Sequence, residues 1–102
     1  MSDDTSKKTC PDGQKDYAGV CLPKVDFETF IYSLFSTAML HLGEVPDPET
    51  GKPSMNLPFA KHTIEILAML EEKTKGNLTD AEDKELGEFL AHLRLLYVKK
   101  AG

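Results

Sequence analysis

The stretch DFETFIYSLFSTAMLHLG, residues 26–43, decides how this chain is read. Asp26 is a good helix N-cap, because its carboxylate accepts from the free N–H groups of the first turn, and Val25 ahead of it suits a hydrophobic staple. Gly43 stands where the end of a helix calls for a left-handed residue. The spacing predicts a helix over 27–42. At about 100° per residue, Phe27, Phe30, Ile31, Leu34, Phe35, Ala38 and Leu42 share one face, widened by Tyr32 and Met39. The opposite side is Thr29, Ser33, Ser36, Thr37 and Leu40. Between Thr29 and Gly43 the one titratable side chain besides Tyr32 is His41.

That absence of charge is the main clue to function. A helix on the outside of a monomer normally carries charged residues on its wet face. Small hydroxyl residues let another backbone approach, and they can satisfy themselves on local carbonyls. Two neighbouring helices in one chain leave part of such a helix uncovered. The composition therefore predicts a homo-oligomer, with a dimer as the commonest closed form, and an interface at Thr29, Ser33, Ser36, Thr37 and Leu40.

Two more helices follow. One is expected over 57–75, capped by Asn56, with Pro58 in its first turn and Gly76 closing it. Its apolar arc of Leu57, Phe59, Ala60, Ile64, Ile66, Leu67, Ala68 and Leu70 covers about half the wheel. The other is expected over 80–99, where Thr79-Asp80-Ala81-Glu82 spells a capping box. Leu86, Phe89, Leu90, Leu93, Leu96 and Tyr97 form its main stripe, and Gly87, Ala91, Leu95 and Val98 a second, thinner one. The link Gly76-Asn77-Leu78 is short enough to force an antiparallel helical hairpin.

The remaining chain reads as irregular. Residues 43–55 hold Pro46, Pro48, Gly51 and Pro53, and read as a connector with a turn at Glu49-Thr50-Gly51-Lys52. Residues 1–25 show neither helical nor strand period and read as a flexible tail that carries the two cysteines. The expected architecture is thus an all-α, three-helix domain over 26–102 behind a disordered N-terminal tail.

Charge bounds the partners. The net charge is −5, and the tail contributes none of it, since four acids there face four lysines. Arg94 is the one arginine. Phosphate-backbone recognition needs clustered cations, so no nucleic-acid partner is expected. No apolar run reaches the about 18 residues of a membrane span, and the first residues lack a secretory pattern. A cytoplasmic protein with no membrane partner is the expectation.

Candidate chemistry is sparse. Cys10 and Cys21 read foremost as two free thiols in a mobile tail; a disulfide and half of a zinc site are the alternatives. His41 and Glu44, with Asp47 and Glu49 in the following loop, are the candidate metal ligands, since imidazole and carboxylates suit a divalent ion. The competing reading makes His41 a packing residue and Glu44 a solvated acid. The loop 47–51 reads equally as a recognition loop or a rigid connector. His62 and His92 fall on polar faces, and no nucleophile with a His-acid set, phosphate loop or dinucleotide fingerprint is present. No cofactor and no catalytic residue are assigned.

The sequence also carries a set of short motifs: His41-Leu42-Gly43-Glu44, Pro46-Asp47-Pro48 with Gly51, Asn56-Leu57, Ala60-Lys61, Thr63-Ile64, 71–79 followed by Glu82, and the ending at Leu93-Arg94 and Tyr97-Val98. Together they resemble the bacterial family catalogued as domain of unknown function 1844, over about residues 26–98. The resemblance implies a small, helical, cytoplasmic domain and no assigned activity. The functional expectation is an oligomeric protein-interaction module without catalysis, with a metal-binding protein or metal-dependent enzyme at His41, Glu44 and the 44–51 loop as the alternative.

Overall fold

Each helix of the computed structural model begins where a side chain satisfies its first free N–H groups. In α1 (Phe27–His41) Asp26 Oδ1 accepts from Thr29 N at 2.7 Å. In α2 (Leu57–Lys73) Asn56 Oδ1 accepts from Phe59 N at 3.3 Å. In α3 (Asp80–Ala101) the capping box closes both ways, with Glu82 N on Thr79 Oγ1 at 3.1 Å and Thr79 N on Glu82 Oε1 at 2.8 Å. The structure describes residues 10–11 and 14–102. The expected tail at 1–9, 12 and 13 lies outside the described residues.

The three helices pack around one core of Ile31, Ala38, Leu42, Ala60, Ile64, Leu67, Leu86, Leu90 and Leu93. Phe27, Leu34, Phe35, Phe89, Leu96 and Tyr97 lie half-buried against it. Among the described residues Thr63 is the buried polar one, and its hydroxyl donates to Phe59 O at 3.1 Å within its own helix. Phe35 and Phe89 stack at 4.3 Å between ring centroids and fasten α1 to α3.

The all-α expectation is overturned by two antiparallel two-stranded sheets. The first pairs β1 (Gln14–Tyr17) with β2 (Val20–Pro23). Its turn places Ala18 and Gly19 both at positive φ, 53° and 89°, the pattern of the tight hairpin turns that match strand twist. Asp16 Oδ1 accepts from Gly19 N at 2.8 Å. Alanine at the first turn position hides this hairpin from a sequence reading, because asparagine, aspartate or glycine is the usual signal there. Residues 14–17 and 20–23 of the expected tail are thus strands. The free-thiol reading falls with it: Cys10 and Cys21 form a disulfide, with Cα atoms 5.6 Å apart, which ties the segment ahead of β1 to β2 at the rung where Cys21 faces Asp16. Neither strand packs substantially against a helix.

The second sheet replaces most of the expected connector. The chain leaves α1 through Gly43 at φ 77° and runs straight into β3 (Leu42–Pro46), which pairs with β4 (Pro53–Met55) in the register Leu42↔Met55 and Pro46↔Pro53. A proline lacks the N–H a ladder needs, and here two of them sit opposite each other at the outermost rung. The turn between is held by Asp47, whose Oδ1 accepts from Glu49 N at 2.8 Å and whose carbonyl accepts from Gly51 N at 2.7 Å. Asn56 N donates to His41 O at 2.7 Å, so the end of α1 and the start of α2 are fastened together. The radius of gyration is 16.9 Å, against the about 13 Å of a compact chain of this length, and the shortest extent is 17 Å. The β1–β2 hairpin, which packs little on the helices, adds to this extension, and several large apolar side chains stay in reach of solvent.

Candidate functional site

The outer face of α1 carries the residues singled out from the sequence. Ser33, Ser36 and Thr37 are exposed, and Thr29 and Leu40 are half-buried. Ser33 Oγ donates to Phe30 O at 2.7 Å and Thr37 Oγ1 to Ser33 O at 3.0 Å. These hydroxyls already have partners within their own helix, so a neighbouring surface could cover them without leaving a donor unmet. The face is bordered by two aromatic residues that the core does not take in: Phe30 is 48 % exposed and Tyr32 58 %. Sequence periodicity placed Phe30 on the core face. In the fold Ile31 and Ala38 hold the centre of the contact and Phe30 falls on its margin.

At the start of α1 a shallow depression of about 290 Å³ is lined by Lys24, Val25, Asp26, Thr29, Phe30 and Ser33. The carboxylate of Asp26 lies on its rim. Asp26 is held below the ordinary carboxylate range by the hydrogen bond from Thr29 N–H, with further help from the Thr29 hydroxyl and the charge of Lys24.

The four candidate metal ligands are spread over other tasks. The His41 ring stacks on Phe59 at 5.5 Å, and its Nδ1 is buried without a protein partner. Glu44 Oε2 lies 2.9 Å from Lys100 Nζ. Asp47 spends a carboxylate oxygen on the turn it caps, and Glu49 is exposed. Among the described residues no group of three or more His, Cys, Asp or Glu side chains is gathered so as to hold a metal ion. His62 and His92 are exposed, and the His92 ring lies 5.9 Å from that of Phe35. No helix among the described residues is long and apolar enough to cross a membrane.

A third surface emerged from the fold alone. Between α2 and α3 a groove of about 250 Å³ is lined by Lys61, Ile64, Glu65, Ala68, Arg94, Tyr97 and Val98. The thin second stripe of α3 runs beside it, with Leu95 63 % and Val98 66 % exposed. The periodicity of α3 showed that stripe, but gave no means of telling that the two other helices leave it uncovered.

One family model, described as Domain of unknown function (DUF1844), matches residues 24–99. No curated protein and no solved structure matches the chain.

Proposed function

This chain belongs to the DUF1844 family, and from that premise we propose that it works as a homo-oligomeric protein-interaction module without catalytic activity, a symmetric dimer being the simplest closed form. The observation that carries the reading is the outer face of α1. It is uncharged from Thr29 to Leu40, its Ser33 and Thr37 hydroxyls are satisfied internally, and it is bordered by half-exposed Phe30 and Tyr32. Such a face loses little when desolvated, because no charge has to leave water, and the two aromatic rings supply apolar area to bury. The exposed apolar residues of the chain support the same reading, since a second copy would cover surface that three helices leave open.

The module is proposed to be cytoplasmic and to bind protein rather than nucleic acid or membrane. In a reducing compartment the Cys10–Cys21 bridge opens. The helical body would keep its core there, because the hairpin closed by that bridge contributes none of the core residues.

The test is a light-scattering mass at micromolar concentration for the natural chain and for Ser33→Glu. The expected result is a multiple of the 11.3 kDa chain mass, lowered by the substitution. A natural chain that runs at 11.3 kDa, or a variant of unchanged mass, overturns the interface.

A further inference from the structure

From the exposed stripe of α3 we infer a second self-association surface, separate from the outer face of α1, in which the α3 helices of two copies pack antiparallel. Gly87, Ala91, Leu95 and Val98 are spaced four, four and three residues apart and fall within an arc of about 80° on the helix. The stripe points away from the core residues Leu86, Leu90 and Leu93. Leu95 and Val98 are each roughly two-thirds exposed, and Ala91 is exposed between them and Gly87.

Gly87 is the residue the single chain does not explain. Its φ is not positive, and a Cβ built on it meets nothing within 4 Å. A glycine in a helix interior weakens the helix relative to alanine. Nothing among the described residues needs the space, whereas a helix packing across the stripe would use it. In an antiparallel pair centred near Ala91, the Leu95 side chain of each copy lies over Gly87 of the other.

Charge selects both the occupant and its direction. Residues 80–88 of α3 carry five acids and one lysine, and residues 89–101 carry Arg94, Lys99 and Lys100 with no acid. Antiparallel packing sets the acidic first half of each helix beside the basic second half of the other. Parallel packing sets like beside like. Of the basic groups, Lys100 is taken up by Glu44, but Arg94 has no ion pair among the described residues, nor has Lys61 across the groove. Both line the depression next to the stripe, and with Glu65 they leave a net positive rim over an apolar floor. In that register Glu88 of a second copy's α3 stands opposite Arg94 and complements that rim. A two-fold contact here together with a two-fold contact at α1 builds a tetramer with two kinds of interface.

The experiment compares light-scattering masses of the full chain, Leu95→Glu, Ser33→Glu and the double variant, with circular dichroism as a check that each is folded. Leu95→Glu is expected to halve the mass of the natural chain at unchanged helicity, and the double variant to run at the 11.3 kDa of one chain. Direction is read from cysteine substitutions under mild oxidation, with the linked peptides mapped by mass spectrometry. Ala91→Cys is expected to cross-link between copies. Leu95→Cys is not, because two such residues in the antiparallel pair stand about 12 Å apart along the axis at 1.5 Å per residue. An unchanged mass for Leu95→Glu overturns the α3 surface. If Ser33→Glu alone lowers the mass, the α1 reading stands while this one falls. Cross-linking through Leu95→Cys and not through Ala91→Cys overturns the antiparallel arrangement.

Discussion

Lys100 Nζ lies 2.9 Å from Glu44 Oε2, which ties the last turn of α3 to the strand that leaves α1. Both side chains are about a third exposed, so solvent screens the attraction and the pair is worth about 0–1 kcal/mol. Glu44→Gln is expected to lower stability by less than about 1 kcal/mol in urea titration, with the loss shrinking further in high salt. A loss of several kcal/mol would show that Glu44 does more than pair with Lys100.

The core predicts a much larger effect at Leu90. It is 1 % exposed at the centre of α3 and belongs to the single cluster shared by all three helices. Leu90→Ala removes buried methyl groups and leaves a cavity, at about 2–5 kcal/mol. For a chain of this size that is a large share of total stability. Chemical unfolding followed by circular dichroism measures it. Leu95→Ala, on the exposed side of the same helix, is the matched control and is expected to change the stability of the isolated chain by well under 1 kcal/mol.

Acid dependence follows from Asp26. Its folded pKa lies below the ordinary carboxylate value because the Thr29 N–H bonds to the ionised form. The carboxylate therefore adds stability at pH above that ordinary value, and the contribution disappears as pH falls through the lowered one. Asp26→Ala is expected to be less stable than the natural chain at neutral pH, with the difference closing towards pH 2. A thermal melt series from pH 7 down to pH 2 checks this; parallel curves for the two proteins would argue against the cap.

Reduction of Cys10–Cys21 is expected to leave the helices intact. The bridge joins the segment ahead of β1 to Cys21 within β2, and no core residue lies in either strand. Addition of a thiol reductant should change the amide spectra of residues 14–23 and leave the melting temperature of the helical signal within a degree or two. A fall of about 4 °C or more, the shift that goes with roughly 1 kcal/mol in a chain this long, would mean that the hairpin is coupled to the core.

The three helices were legible because their signals are local. Asp26, Asn56 and Thr79 cap within three residues of themselves, and the stripe Leu86, Leu90 and Leu93 repeats at the helical period. The two hairpins were hidden for the opposite reason. Their strands are three to five residues long, Ala18 stands where a glycine or asparagine would announce the turn, and Pro46 and Pro53 read as breakers until they are seen facing each other.

Sequence alone established that this chain makes three capped helices, that α1 carries no charge from Thr29 to Leu40, and that α3 is acidic first and basic last, since each of these depends only on which residues are near neighbours along the chain. Which apolar residues stay outside was decided by tertiary structure. Phe30 and Leu95 have the same claim to burial as Ile31 and Leu93 by hydrophobicity, but each helix turns one arc towards its two neighbours and has no third to cover the rest. The fate of Glu44 was decided there too, because Lys100 lies 56 positions away in the sequence and reaches it only through the packing of α3 against β3.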